Sequence, residues 1–266
     1  MQVLIGFLLG IAIGAAAWRV RTLTTSGAWA AALTGGMIFG FGGLPWAILL
    51  LAFFISSSLL SHAFTAKKAQ LNEKFSKGSQ RDWGQVFANG GLGALFALGH
   101  WLLPGGDAWW AAYIGALAAV NADTWATELG VLNHTPPRLI TNGKQVERGS
   151  SGGVSLLGYL AVLSGAALIA ILAASFSPSD PAWVLFTAGV LGGAAGATFD
   201  SFLGATVQAI YWCPVCEKET ERHPFHTCGT STHRNRGWRW LNNDWVNFLC
   251  SLVGAVIAAG IWRLFG

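Results

Sequence analysis

Charge is what this sequence has least of. Only 11% of its 266 residues are charged while 53% are hydrophobic, and the mean hydropathy is +0.49. So few polar side chains cannot cover a soluble globule of that length, which excludes a soluble fold and indicates a polytopic membrane protein. No loop between the apolar runs is long enough to form a separate soluble domain. No GK[ST] tripeptide occurs, which excludes a Walker A phosphate loop. The first apolar run begins at Val3 with neither a basic leader nor a small-residue cleavage site, and so reads as a retained helix rather than a signal peptide. The apolar runs also lack Lys and Arg, apart from Arg263 near the end of the last one. A carboxylate inside them has no basic neighbour in its own run to neutralise it.

Apolar runs near the roughly 20 residues needed to cross a bilayer occur at about 2–18, 27–43, 44–61, 84–103, 108–131, 153–176, 182–210 and 245–264. They are continuous rather than alternating, and lipid offers backbone groups no partners, so they predict helices and not barrel strands. The expected fold is an all-α bundle of eight spans, a single integral membrane domain over 1–266 with cytoplasmic loops 62–82, 132–152 and 211–241. Basic residues set its orientation. Arg19 and Arg21 follow the first run, and Lys67, Lys68, Lys74, Lys77 and Arg81 the third. Arg138, Lys144 and Arg148 follow the fifth, and Lys218, Arg222, Arg234, Arg236 and Arg239 the seventh. The loops after the second, fourth and sixth runs carry none, so an even count puts every basic loop on the cytoplasmic face of the cell membrane, with both termini outside. The net charge of +4 is thus a face turned to membrane lipid headgroups or a phosphorylated ligand, with no nucleic-acid partner expected.

Against that background three acids stand out: Asp123, Glu128 and Asp200 lie inside apolar runs. An ionisable group at membrane depth is costly and marks a functional site by default. On the fifth helix, Asp123, Thr127, Thr124, Glu128 and Asn121 share one polar face. The seventh carries Asp200, Ser201, Gly204 and Gln208 on another, and the eighth starts with Asn242, Asn243, Asp244 and Asn247. The fourth enters with Gln85 and Asn89. All these groups are expected at the cytoplasmic end, with Asp123 and Asp200 at matching depth. NADTW (121–125) and FDSF (199–202) hint at an internal duplication. Hard oxygen ligands of this kind suit Mg²⁺, which borrows substrate phosphates to complete its shell. Asp123, Asp200 and Asp244 are the expected ligands and Glu128 a support. Glycine is abundant at 35 residues. Gly189, Gly193, Gly196 and Gly204 form a stripe with Asp200 that lets a neighbouring helix approach closely.

The loops add anion and metal binders. TNGKQVERGSSGGVS (141–155) combines Lys144 and Arg148 with Gly149, Gly152 and Ser155 ahead of a helix start, where free N–H groups and the helix dipole favour a phosphate. Cys213-x-x-Cys216 followed by His226-x-Cys228 has the ligand types and local spacing of tetrahedral zinc, a structural knuckle. Its alternative is a set of reduced cytoplasmic thiols. His62, His100 and His134 are solitary and read as interfacial residues, and the 14 tryptophans mostly as belt and packing residues.

QVFANGG (85–91), NADTWATELG (121–130), GSSGGVS (149–155), GAAGATFDSFLGATVQ (193–208) and WLNNDWVN (240–247) together resemble domain-of-unknown-function family 92. This is the integral membrane family that includes plant phytyl-phosphate kinase, and the resemblance covers nearly the whole chain. It implies a transferase that moves the γ-phosphoryl group of a nucleoside triphosphate, with CTP expected, onto an isoprenoid monophosphate to give the diphosphate. In that reaction Asn89, Asn121, Thr124, Ser201, Gln208, Asn243 and Asn247 would position phosphates that Lys144 and Arg148 clamp. A CTP-dependent cytidylyltransferase acting on a phospholipid or prenyl phosphate, a cation-coupled transporter and a scaffold remain as alternatives.

Overall fold

A computed structural model describes residues 1–64, 74–75, 77, 80–104, 108–177 and 181–266. Eight α-helices of 13 to 25 residues are found among them, numbered here in chain order. They are α1 Gln2–Arg19, α2 Thr25–Met37, α3 Leu44–Ala63, α4 Trp83–Leu102, α5 Ala108–Gly130, α6 Leu156–Ser175, α7 Ala182–Thr206 and α8 Asn243–Phe265. The predicted runs and the observed helices agree to within a few residues. Two departures have local causes. α2 passes into a π-helical turn, Ile38–Gly42, and Gly43 at φ 88° then turns the chain directly into α3, whose first turn holds Pro45. α7 stops at Thr206, and the residues up to Ile210 leave the helix because a strand begins there. Lys67 and Lys68, counted above among the basic residues after the third run, lie outside the described residues.

Five helices, α1, α3, α6, α7 and α8, are each long and apolar enough to cross a membrane. Of the other three, α2 is short, and α4 and α5 are diluted by glycine, alanine and polar residues. α5 is the central helix: it packs against α3, α4, α6, α7 and α8, and every residue from Trp110 to Ala122 is buried. Small residues make this packing close. A Cβ on Gly10 of α1 would stand 2.6 Å from the Ala32 carbonyl of α2, and one on Gly254 of α8 would collide with the Gly115 carbonyl of α5.

Successive helices alternate in direction, so the bundle has two chemically distinct ends. At one, Trp46 of α3 stacks on Tyr113 of α5 at 4.4 Å and accepts a 2.6 Å hydrogen bond from its hydroxyl through the main-chain carbonyl. Trp110 Nε1 donates to Ser177 Oγ just past α6 at 2.9 Å, fixing that helix end beside them. At the other end the starts of α2, α4, α6 and α8 are capped by the side chains of Thr24, Asp82, Ser155 and Asn242. Each such cap stabilises a helix by about 1 kcal/mol. Asp82 and Gln85 complete a reciprocal capping box.

Beyond the helices, β1 (Arg138–Leu139) and β2 (Gly153–Val154) form an antiparallel pair in the segment between α5 and α6. Between α7 and α8, β3 (Ile210–Cys213), β4 (Lys218–Thr220) and β5 (His233–Arg236) form an antiparallel sheet in the order β4-β3-β5. Both small sheets lie at the capped end of the bundle.

Candidate functional site

The capped end encloses a cavity of about 320 Å³. α5 contributes Asp123, Thr124 and Glu128 to its wall, and α7 contributes Asp200 and Ser201. Gln85 and Asn89 enter from α4, Asn243 and Asn247 from α8, and Gln208 from just beyond α7. Arg148, Gly149, Gly152 and Ser155 close it from the segment leading to α6. Residues from distant parts of the chain meet here because odd-numbered helices end, and even-numbered helices begin, at the same end of the bundle.

The loop at 148–155 is shaped by two glycines with left-handed backbones, Gly149 at φ 75° and Gly152 at φ 83°. Gly152 lies directly on the backbone of Ala205 in α7, where a side chain would collide. Ser155 accepts a hydrogen bond from Gly158 N at 3.1 Å and so caps α6, while Arg148 Nη2 donates to the His134 carbonyl at 2.7 Å.

Three of the sequence-predicted residues lie away from the cavity wall. Asn121 is fully buried: its Nδ2 donates to Gly165 O at 2.7 Å, and its Oδ1 faces the hydroxyls of Ser56 and Ser57 at 3.2 and 3.3 Å. It ties α5 to α6 and α3. Lys144 is exposed on the turn between β1 and β2, with its backbone N–H bonded to Asn142 Oδ1 at 3.0 Å. Asp244 is ion-paired, Oδ2 to Lys77 Nζ at 2.5 Å, and the same lysine reaches Asp82 at 2.8 Å. A cation thus joins the first turns of α4 and α8.

Asp123 and Asp200 face the same cavity, and among the described residues neither forms a salt bridge. Asp200 Oδ2 is buried and has no hydrogen-bond partner. A buried acceptor left in this state is costly unless a ligand meets it. Both carboxylates offer hard oxygen donors of the type a divalent cation such as Mg²⁺ takes, although among the described residues no acidic trio closes on one point as the Cys/His cluster described below does. Glu128 is buried in the same wall and accepts from Ser61 Oγ at 2.7 Å.

Among the wall residues to which the sequence gives no role in the site, Glu221 and Arg81 matter most. Glu221 follows β4, and its backbone N–H donates to Lys74 O at 2.9 Å. Its Oε1 accepts from Gln208 Nε2 at 2.9 Å and Ser151 Oγ at 3.0 Å, which adds a fourth carboxylate to Asp123, Glu128 and Asp200 in the cavity wall. In sequence it belongs to a run of alternating charge, KETER (218–222), that looks like solvated surface. Its nearness in the chain to the Cys/His cluster was the single hint. In the sequence, Arg81 reads only as one of the basic residues that set topology. Its guanidinium sits 5.5 Å from the ring centroids of both Phe53 and Phe54, and Nη1 donates to Ser58 Oγ at 3.3 Å. Burial pushes its pKa down to about 10, partly offset by Glu128, so it is still a cation at neutral pH.

Beside the cavity, the sheet β4-β3-β5 gathers Cys213, Cys216, His226 and Cys228, whose ligand atoms all lie within 4.8 Å of one another. Cys213 Sγ and Cys228 Sγ are 3.6 Å apart, and His226 Nδ1 is 3.4 Å from Cys228 Sγ. A tetrahedron with Zn–S bonds of about 2.3 Å has S···S edges of roughly 3.8 Å, so the four groups fit zinc. Hydrogen bonds from Thr230 and His226 hold the Cys228 thiol down to about 6, while hydrogen bonding with Cys228 pushes that of Cys216 up to about 11.

The profile of the integral membrane protein family DUF92 matches residues 8–255. Among curated proteins, the chain is 31% identical over 239 residues to Protein PGR of Arabidopsis thaliana, covering 82% of this chain and 81% of that one. It is also 31% identical over 249 residues to an uncharacterized membrane protein of Methanocaldococcus jannaschii, covering 92% and 87% respectively. A third relative, an uncharacterized membrane protein of Synechocystis sp., is 26% identical over 249 residues, covering 91% and 83%. No solved structure matches.

Proposed function

Because this chain belongs to the DUF92 family of integral membrane proteins, we propose that it is a membrane-embedded phosphotransferase that uses CTP to convert an isoprenoid monophosphate into the diphosphate. The observation that carries this reading is the convergence of Asp123, Asp200 and Glu221 on a cavity that also holds Arg81, Arg148 and a glycine/serine loop. Carboxylates for a cation and cations for phosphates are the two halves of a phosphoryl-transfer site. Similarity to the family that includes plant phytyl-phosphate kinase supports the substrate class.

In this reading all eight helices span the cell membrane as one integral domain, with the cavity open to the cytoplasm and both termini outside. The basic loops are then cytoplasmic, as the distribution of Lys and Arg favours. A phosphate oxygen of the isoprenoid monophosphate attacks the γ-phosphorus of the nucleotide. The new P–O bond forms as the bond to the β-phosphate oxygen breaks, and CDP leaves. The monoester has a second pKa near 6 and arrives largely dianionic, so no general base is needed. The chain's task is electrostatic: Arg81 and Arg148 draw two polyanions together, while Asn89, Ser201, Gln208, Asn243 and Asn247 orient them.

Asp123 and Asp200 would hold Mg²⁺, with Glu221 and Glu128 in the same wall. When bound, Mg²⁺ supplies positive charge against the phosphate oxygens. Asp244 acts through Lys77, holding α4 against α8. Cys213, Cys216, His226 and Cys228 would hold a structural Zn²⁺ that fixes the segment bearing Glu221.

The test is transfer of label to lipid by the purified protein. With γ-labelled CTP and a panel of prenyl monophosphates, label should enter the lipid product, and none should enter from α-labelled CTP. Label from the α position would mean cytidylyl transfer instead, and label from neither position would remove both enzymatic readings. An ion-coupled transporter is disfavoured because the polar groups gather at one end of the bundle rather than midway along it.

A further inference from the structure

A second cavity, of about 160 Å³, runs between α1, α2, α3 and α4. Its wall is almost wholly apolar, with Leu9 and Ile13 on one side and Leu50, Leu51, Phe53 and Phe54 on the other. Glycines of α1 and α2 make part of the wall smooth, and at Gly35 the space is open enough that an added Cβ would meet only Leu50 Cδ2, at 3.8 Å. At one end the wall changes character. Arg81, Gln85 and Asn89 line this groove and the acidic cavity alike, so the first turns of α4 are shared between them.

Apolar surface on one side and a desolvated cation on the other is what an amphiphile with an anionic head requires. The Arg81 guanidinium lies against Phe53 and Phe54 and donates to Ser58, a neutral hydroxyl, through Nη1. Glu128 acts on this charge from the acidic cavity, while on the groove side, where the wall is apolar, the guanidinium favours an anion that can displace water. A phosphate placed there would stand at the edge of the cavity containing Asp123 and Asp200, while its chain ran back among the helices.

We infer that the groove between α1 and α4 is the binding site for the hydrocarbon chain of a single-chain lipid monophosphate, with Arg81 holding its phosphate at the junction with the acidic cavity. This rests on the phosphotransferase reading for the purpose of the site but not for its existence. It divides the labour along the chain: α1–α3 select the tail, and α5, α7 and the Glu221 segment handle the phosphates. Chain length and saturation are then set by side chains far in sequence from every acidic residue of the site.

Photolabelling the intact protein in detergent, without nucleotide, tests this. The probe is a prenyl monophosphate with a diazirine in its chain, read out by mapping labelled peptides. Label should fall on α1–α4 and be competed by unlabelled prenyl monophosphate but not by diacyl phospholipid. Gly35→Trp, and independently Leu50→Trp, should lower that labelling by about tenfold, the affinity of roughly two buried methylenes. Arg81→Gln should reduce labelling by the phosphate probe to that of the matching prenyl alcohol. Label confined to other helices, equal competition by diacyl phospholipid, or monodisperse Gly35→Trp and Leu50→Trp proteins that label normally would overturn the assignment. A protein that labels as expected yet transfers no phosphate would leave the groove standing and remove the phosphotransferase reading alone.

Discussion

Gln208 Nε2 donates to Glu221 Oε1 at 2.9 Å, and through this contact the segment that follows α7 is tied to the acidic cavity. Ser151 reaches the same oxygen at 3.0 Å from the glycine/serine loop. Two connections that are separate in the chain are therefore locked onto one carboxylate, beside Asp123 and Asp200.

Replacing that carboxylate separates charge from shape. Glu221→Gln keeps the size of the side chain and removes its charge, and should lower transfer from γ-labelled CTP by about tenfold to a hundredfold, the range of a group that supports a metal site. Zinc content, measured by mass spectrometry, should stay at the wild-type level. Loss of zinc together with activity would instead make Glu221 a structural residue.

Asp123→Asn and Asp200→Asn remove the groups expected to meet the cation. Each should depress transfer by at least about a hundredfold, the scale of losing one preorganised charge-stabilising group. Membrane insertion and monodispersity should be unaffected. EDTA should abolish turnover reversibly and Mg²⁺ restore it. Full activity in metal-free buffer would rule out this use of the two aspartates.

Asp244 predicts a different outcome. Its Oδ2 pairs with Lys77 while its Oδ1 is buried without a partner. Asp244→Asn should cost about 1–3 kcal/mol, since it removes one of the two carboxylates that hold Lys77 and leaves only Asp82. The loss should appear as a lower thermal midpoint, with activity per folded molecule close to wild type. A double substitution, Lys77→Met with Asp244→Leu, should recover part of the stability. A loss of activity as severe as that of Asp123→Asn, with no change in midpoint, would restore Asp244 to the cation site.

The cysteine and histidine ligands make a chemical prediction. The purified chain should carry one zinc, retained through dilution and lost on Cys213→Ser or Cys216→Ser. Because metal binding to such clusters is coupled to folding, those variants should become sensitive to protease within 207–240. Absence of zinc from protein grown with ample metal would return the four residues to the status of free thiols.

Much of this arrangement was legible in the sequence because lipid imposes simple rules. Long apolar runs must be helices, and the runs at 108–131 and 182–210 became α5 and α7 with Asp123 and Asp200 on one cavity. Asn121 shows where that logic stops: it shares a helix face with the acids, yet Gly165, Ser56 and Ser57 absorb its amide, so periodicity alone could not separate a structural amide from a ligand. Lys144 was placed by its neighbours in sequence, but the β1–β2 turn carries it to the surface, whereas Arg148, a few residues on, reaches the wall. Glu221 was hidden for the opposite reason. Its position depends on a small sheet, a main-chain contact with Lys74 and a glutamine just beyond α7, none of which leaves a pattern in a single sequence.

The enclosure of α5 has a bearing on how the molecule can work in time. A helix wrapped by five others and buried without interruption from Trp110 to Ala122 cannot slide or rotate on its own. Asp123 is therefore a fixed post, and so is Asp200, whose helix packs directly on it. Any opening of the cavity has to come from its rim, by breaking the hydrogen bonds of Gln208 and Ser151 to Glu221 that hold it shut, rather than by rearrangement of the helix bundle.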